Sequence, residues 1–238
     1  WYSLAYIFGF ILGLQYIKYL NSKHNLTLNN ALINDFFFFT ILGVILGGRI
    51  GYIVLYNPNY YFHNPIEIIK LWKGGMAFHG GLIGIILSTF IFSLKNKISF
   101  YIFCDLTACA APIGIFFGRI ANFINGELVG RVTENKIGII FNHIDNFTRH
   151  PSQIYEAILE GIILFLILFF LQNRERFIYK SGILSSLFLI FYSLFRFICE
   201  LFREPDPHIG LQYFNLSLGQ IYSIFFLIIG IILFLKKK

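Results

Sequence analysis

Gly118-Arg119-Ile120-Ala121-Asn122-Phe123-Ile124-Asn125-Gly126-Glu127-Leu128-Val129-Gly130 closes a long apolar run that begins near Phe100. A helix of about 20 apolar residues crosses a bilayer, so Arg119 and Asn122 fall inside a membrane-spanning segment. A guanidinium at mid-membrane costs roughly 2.5–3.5 kcal/mol on insertion scales. It is kept only where it faces protein, water or an anionic partner. Arg119 and Asn122 stand three residues apart and share a helix face. Asn125, Gly126, Glu127 and Gly130 then read as a turn where the chain leaves the apolar zone. A polar helix face running into a glycine-containing turn has the character of a site at the membrane boundary.

The rest of the chain supports that setting. Of its 238 residues, 57% are hydrophobic and 13% charged, and the mean hydropathy is +0.69, which excludes an ordinary soluble domain. The expected fold is all-α, a polytopic integral membrane protein with about seven transmembrane helices. The spans are placed at residues 1–20, 35–56, 76–94, 100–124, 151–171, 181–202 and 217–235. They form one transmembrane catalytic domain over 1–238, with a short outer segment at about 125–150. No soluble domain, linker or internal repeat interrupts them. Cys104, Cys109 and Cys199 lie in apolar runs without metal-ligand spacing and read as small packing residues. The chain begins at Trp1 rather than Met, which leaves room for native residues before it, and no cleavable signal peptide is evident. Rows of small residues (Gly43, Gly47 and Gly51; Gly80 and Gly84; Gly114 and Gly118) allow helix backbones to approach closely in lipid.

Orientation follows from the basic residues. The first, third and fifth connections and the tail carry Lys18, Lys23, Lys95, Lys97, Arg174, Arg176, Lys180 and Lys236–Lys238, with Glu175 as their acidic member. The other connections balance Lys70, Lys73, Arg131, Lys136, Arg149 and Arg203 against Glu67, Glu127, Glu134, Asp145, Glu204 and Asp206. Lys and Arg mark the cytoplasmic side, so the N-terminus is expected outside and the C-terminus in the cytoplasm. The net charge of +7 is then a matter of topology, and no nucleic acid partner is implied.

That topology brings polar residues to one depth. Arg49, Arg119 and Arg196 lie near the outer ends of the second, fourth and sixth spans, Tyr2 and His79 open the first and third, and His150 and Glu156 flank the start of the fifth. Each also has a structural reading. Arg49 can snorkel to headgroups. Arg196, Glu200 and Arg203 can form an ion-pair ladder on one helix face. Glu160 suits a helix–helix hydrogen bond or a protonated state. His150-Pro151-Ser152-Gln153 looks like a helix start, with Ser152 free for local hydrogen bonds. Guanidinium groups bind phosphate bidentately, and phospholipid phosphates lie at this depth. Fixed arginines stabilise a departing phosphate, and a histidine can deprotonate a nucleophile near neutral pH. Residue chemistry thus points to a phospholipid-handling membrane enzyme with its reaction open. A proton-coupled transporter would place its charges nearer mid-membrane, and a lipid-binding scaffold would gain nothing specific from His79.

The motifs go further. Gly118-Arg119-Ile120-Ala121-Asn122-Phe123-Ile124-Asn125-Gly126-Glu127 with Gly130-Arg131 resembles the defining motif of bacterial prolipoprotein diacylglyceryl transferases. Gly47-Gly48-Arg49-Ile50-Gly51-Tyr52, Phe78-His79-Gly80-Gly81, His150-Pro151-Ser152-Gln153-Ile154-Tyr155-Glu156, and Arg196 through Glu200 to Arg203-Glu204-Pro205-Asp206 are similar to that family in the same order. Two features depart from it. Val129 stands where the family commonly has an aromatic, and the segment Val132 to Arg149 is short, implying a reduced periplasmic head.

The resemblance implies transfer of the sn-1,2-diacylglyceryl group from phosphatidylglycerol to the lipobox cysteine thiol of a prolipoprotein signal peptide, with loss of glycerol phosphate. It implies His79 as base, Arg119 and Arg196 on the phosphate and leaving group, and Glu200 orienting Arg196. Asn122, Glu127, Gly130, Tyr2 and Arg49 would contact or shape the substrate. No metal or organic cofactor is called for. The implied location is the bacterial inner membrane, among membrane lipids, with the active site towards the periplasm.

Overall fold

The computed structural model describes residues 1–26, 28–56, 58–70, 74–174, 180–205 and 213–237, without the side chains of residues 55, 56, 78, 79 and 213. Lys73, Glu175, Arg176, Asp206 and Lys238, used above for topology and motif matching, lie outside the described residues. The chain is mostly helical. In order come α1 (Tyr2–Lys23), α2 (Asn30–Tyr56), α3 (Pro58–His63), a 3-10 turn (Pro65–Ile69), α4 (Phe78–Asn96) and α5 (Phe100–Asn125). The strands β1 (Ile139–Ile140) and β2 (Thr148–Arg149) follow. The last helices are α6 (Ser152–Leu171), α7 (Ile183–Cys199) and α8 (Leu218–Lys237).

Among the described residues, five helices, α1, α2, α5, α6 and α8, are long and apolar enough to cross a membrane. Gly80–Asn96 within α4 and Ile183–Cys199 are shorter apolar helices at the third and sixth expected spans. The result is an all-α, multi-pass membrane architecture.

The chain forms two compact units, Trp1–Asn25 with Cys104–Lys238, and Leu26–Phe103. In the Leu26–Phe103 unit, α2 and α4 pack through glycine. A Cβ on Gly47 would meet the Gly80 carbonyl oxygen at 2.3 Å, and one on Gly84 would meet that of Gly43 at 2.0 Å. No side chain fits there, so these two rows do what small residues do between helices in lipid. Phe36, Phe92 and Phe103 fill the far end, with the Phe36 and Phe103 rings stacked at 4.4 Å.

In the other unit, the expected close packing at Gly114 and Gly118 is only half met. A Cβ on Gly9 would come within 3.2 Å of the Gly114 Cα, whereas one on Gly114 or on Gly118 would itself meet no described atom within 4 Å. Four-residue spacing places both glycines on one face of α5, but it does not supply a neighbour for each. Gly161 packs on Phe116 and Gly230 on Leu189 and Ile190. Asp105 of α5 accepts hydrogen bonds from the backbone N–H groups of Gly182 (2.6 Å) and Ser185 (2.7 Å). A neighbouring helix thereby caps α7, whose first N–H groups have no partner within it. Cys104, Cys109 and Cys199 are free thiols, the last two buried, as packing residues should be.

Candidate active site

The turn after α5 is built as its residues suggest. Gly126 has φ +66° and Leu128 φ +56°, the first natural for glycine and the second strained for a branched side chain. Several bonds hold the strained turn. The Glu127 N–H donates to the Asn122 carbonyl at 2.9 Å, and Gln153 Nε2 donates to the Glu127 carbonyl at 2.7 Å. Ser152 Oγ donates to the Leu128 carbonyl at 3.1 Å. Ser152 therefore makes a tertiary bond rather than the local one expected of a helix start. The clamp leaves the Glu127 side chain to accept a hydrogen bond from the Tyr2 hydroxyl. Asn122 is buried one turn earlier.

Gly130 has a packing reason to be glycine. It bridges Arg203 in an antiparallel pair, and a Cβ there would meet the His150 carbonyl oxygen at 2.3 Å and that of Phe202 at 2.7 Å. Arg149 braces the same strand, donating from Nη1 to the Gly130 carbonyl at 3.0 Å and from Nη2 to Asp145 at 2.6 Å. The hydrogen bond from Arg149 holds the Asp145 carboxyl below the usual aspartate range, and Asp145 in return raises Arg149.

Around Arg119 and Arg196 lies an ion-pair network that the sequence showed only in part. Arg196 Nη1 donates to Glu156 Oε1 at 2.7 Å and to Glu160 Oε1 at 3.4 Å, and its Nη2 donates to Glu200. Arg119 Nη1 lies 3.0 Å from Glu156 Oε2, and its Nη2 donates to Glu160 Oε2 at 3.3 Å. Arg203 Nη1 approaches Glu156 at 3.6 Å, and Ser217 Oγ donates to Glu200 Oε2 at 2.6 Å. Glu156 and Glu160 are fully buried. The expected pairing of Arg196 with Glu200 is present, and Glu160 makes its helix–helix bonds as an ion pair.

Glu156 and Glu160, expected to be flanking or structural groups, each contact both Arg119 and Arg196. Their four-residue spacing in an apolar span was the available signal. What it did not reveal is the π-helical winding of Ala157–Ile163, a local widening of the helix often found at functional sites. The six charges, three guanidinium and three carboxylate, balance formally. Among the described residues, these contacts occupy at most two of the five N–H groups of Arg119. The Nη1 contact to Glu156 is too misaligned to be a hydrogen bond, and Oε2 of Glu156 has no aligned donor. The cluster can therefore hold two guanidinium planes rigidly and still offer donors to an anion.

Arg49 is placed differently from the expectation. It does not snorkel: it is 4% exposed. Its Nε donates to the Ile68 carbonyl, Nη1 to those of Gly74 and Gly75, and Nη2 to those of Glu67 and Lys70. The guanidinium lies 5.2 Å from the centre of the Tyr61 ring. All five N–H groups thus meet main-chain carbonyls, so Arg49 organises the loop before α4 and has no donor left for a phosphate. A buried guanidinium takes whatever acceptors surround it, and here these are backbone. In the same unit, the Ala77 N–H donates to the Gly48 carbonyl at 2.9 Å, fixing the start of α4 where His79 is the second residue. The side chain of His79 lies outside the described residues.

The family described as prolipoprotein diacylglyceryl transferase has a model that matches residues 1–236. A phosphatidylglycerol–prolipoprotein diacylglyceryl transferase of Rickettsia bellii is 50% identical over 238 residues, covering 100% of this chain and 90% of that protein. The proteins of the same name from Rickettsia typhi and Rickettsia felis are 50% and 46% identical over 230 residues, covering 97% of this chain and 89% of each.

Proposed function

Because the chain belongs to the prolipoprotein diacylglyceryl transferase family, we propose that it transfers the sn-1,2-diacylglyceryl group of phosphatidylglycerol to the lipobox cysteine thiol of a prolipoprotein. The sulfur–carbon bond forms as the carbon–oxygen bond to phosphate breaks. The thiol proton passes to a base, and glycerol phosphate leaves. The observation that carries the reading is the pair of guanidinium groups, Arg119 and Arg196, braced on shared buried carboxylates in an apolar bundle.

Each residue has a role in this reading. Arg119 and Arg196 bind the phosphate and stabilise its growing charge as it leaves. Glu200 orients Arg196, and Glu156 and Glu160 fix both forks. Tyr2, Asn122 and Glu127 shape the headgroup side, Gly130 keeps the adjoining strand close, and Arg49 acts through the loop it holds. His79 is the base. A thiol with a reference pKa of about 8.5 is only slightly ionised at neutral pH, so a base or nearby cation is needed.

The seven apolar helices all cross the inner membrane, the N-terminus and the site face the periplasm, and the whole chain acts as one catalytic domain. A reporter fused after Lys238 would then be active only in the cytoplasm, and one inserted near Asn142 only outside. Purified protein, phosphatidylglycerol and a synthetic lipobox peptide should yield a peptide heavier by one diacylglyceryl group in mass spectrometry. Peptide of unchanged mass would reject the activity.

A further inference from the structure

Between Asn125 and Ser152 the chain forms a small segment with an inside and an outside. Inward, Val129 and Phe141 are buried, and Phe141 meets Phe123 of α5 edge-on at 6.1 Å. Outward, Val132 (53% exposed), Ile137 (57%), Ile140 (51%), Ile144 (45%) and Phe147 (62%) leave about half of each apolar side chain uncovered. Both residues of β1, Ile139 and Ile140, are exposed although successive strand side chains point to opposite faces.

A strand that leaves apolar side chains partly uncovered on both faces is not a water-facing hairpin. So many exposed apolar side chains in so short a stretch mark an interaction surface. We propose that this segment rests in the interfacial zone of the bilayer, with Val132, Ile137, Ile140, Ile144 and Phe147 against phospholipid.

The occupant follows from continuity with the helices. The segment leaves α5 and enters α6, both long and apolar enough to span. It is fastened to the end of α7 by the Arg131 N–H on the Phe202 carbonyl (2.8 Å) and the Glu204 N–H on that of Val129 (3.2 Å). It is thus tied to helix ends and cannot stand far from them. Ile137 lines an open groove of about 330 Å³ with Ile158, Leu159 and Phe202. Ile158 is itself 44% exposed on α6, so the apolar surface of that helix runs on into the segment. Arg131, Lys136 and Arg149 balance Glu127, Glu134 and Asp145, leaving no net charge to hold the segment off an anionic leaflet. Apolar groups at such a surface enter about 5–10 Å into the headgroup and acyl boundary.

The test places tryptophan at the surface. Ile140→Trp and Phe147→Trp, each in the full chain reconstituted in phosphatidylglycerol and phosphatidylethanolamine vesicles, are compared with the parent protein. Lipids brominated near the headgroup should remove most of the added fluorescence, and aqueous iodide should remove little. Quenching by iodide and not by brominated lipid would overturn the proposal. Protection from iodide that arises only when lipobox peptide is added would also overturn it, since the surface would then belong to the acceptor. If either substitution fails to yield folded protein, Val132→Trp carries the same comparison. The readout needs no catalysis, so it stands or falls apart from the transferase reading.

Discussion

Glu156 Oε1 accepts a hydrogen bond from Arg196 at 2.7 Å across two helices. The carboxylate is fully buried, and its other oxygen lies 3.0 Å from Arg119. Glu156 is thus the shared brace of both candidate phosphate ligands. Truncating one partner of a buried ion pair typically costs about 3–5 kcal/mol, because a charge is left without its counterion.

Glu156→Gln keeps the shape of the brace and removes its charge. Transfer should fall towards that of Arg119→Ala, with the protein still inserted and a lowered melting temperature in detergent. Near-normal turnover by Glu156→Gln would show that the arginines hold their positions without it.

Arg119→Ala should abolish transfer while the protein remains in the membrane. Arg119→Lys should also be poor, since a point charge cannot replace the planar fork that meets Glu156, Glu160 and a phosphate together. Arg196→Ala should behave alike, part of its loss arising because Glu200 loses its nearest guanidinium. Transfer rates on phosphatidylglycerol at matched expression decide this, and a nearly normal Arg119→Lys enzyme would argue against bidentate recognition.

His79→Gln keeps much of the size and hydrogen bonding but is no base near neutral pH. The rate should drop by about 10²- to 10⁴-fold, the usual scale for losing a general base, with little change in phosphatidylglycerol binding. As pH approaches the thiol's own value of about 8.5, the mutant should regain part of its rate, because the nucleophile ionises unaided. The measurement is the wild-type to mutant rate ratio across that range. A flat ratio would make His79 a positioning residue.

Asp145 is held below the usual aspartate range by Arg149. A group with a lowered folded pKa stabilises the fold above its unfolded value, near about 3.9, and loses that contribution as pH falls through the folded value. The protection factors of the β1 and β2 amides, taken against the intrinsic exchange rate at each pH, should therefore fall in acid below that point. Asp145→Asn should show lowered protection already at neutral pH and little further change on acidification. Equal exchange in both proteins at neutral pH would remove Asp145 from the account of the segment.

Much of this protein was legible in its sequence. Apolar runs separated by charged connections have few outcomes other than membrane helices, because every backbone polar group in lipid must bond within the chain. The turn after Asn125 was legible because glycine and polar residues interrupt an apolar run there. The contacts of Gly43, Gly47, Gly51, Gly80 and Gly84 were legible because only glycine lets two helix backbones touch. The pairing of Arg196 with Glu200 followed from helical spacing alone.

Tertiary structure decided which partner each charge takes, since a buried guanidinium binds the nearest acceptors whatever their place in the chain. Arg49 and Arg119 look alike as charges inside apolar spans. One meets five backbone carbonyls and the other two carboxylates from α6. Glu156 and Glu160 became the brace of the arginine pair because α6 lies against both Arg119 and Arg196, with Glu160 inside its π-helical turn. Gln153 became the clamp of Glu127 for a like reason, its target lying 26 residues earlier in the chain. Composition and spacing describe what a residue can do along its own helix. Which helix faces it, and at what distance, arises only when the whole chain packs.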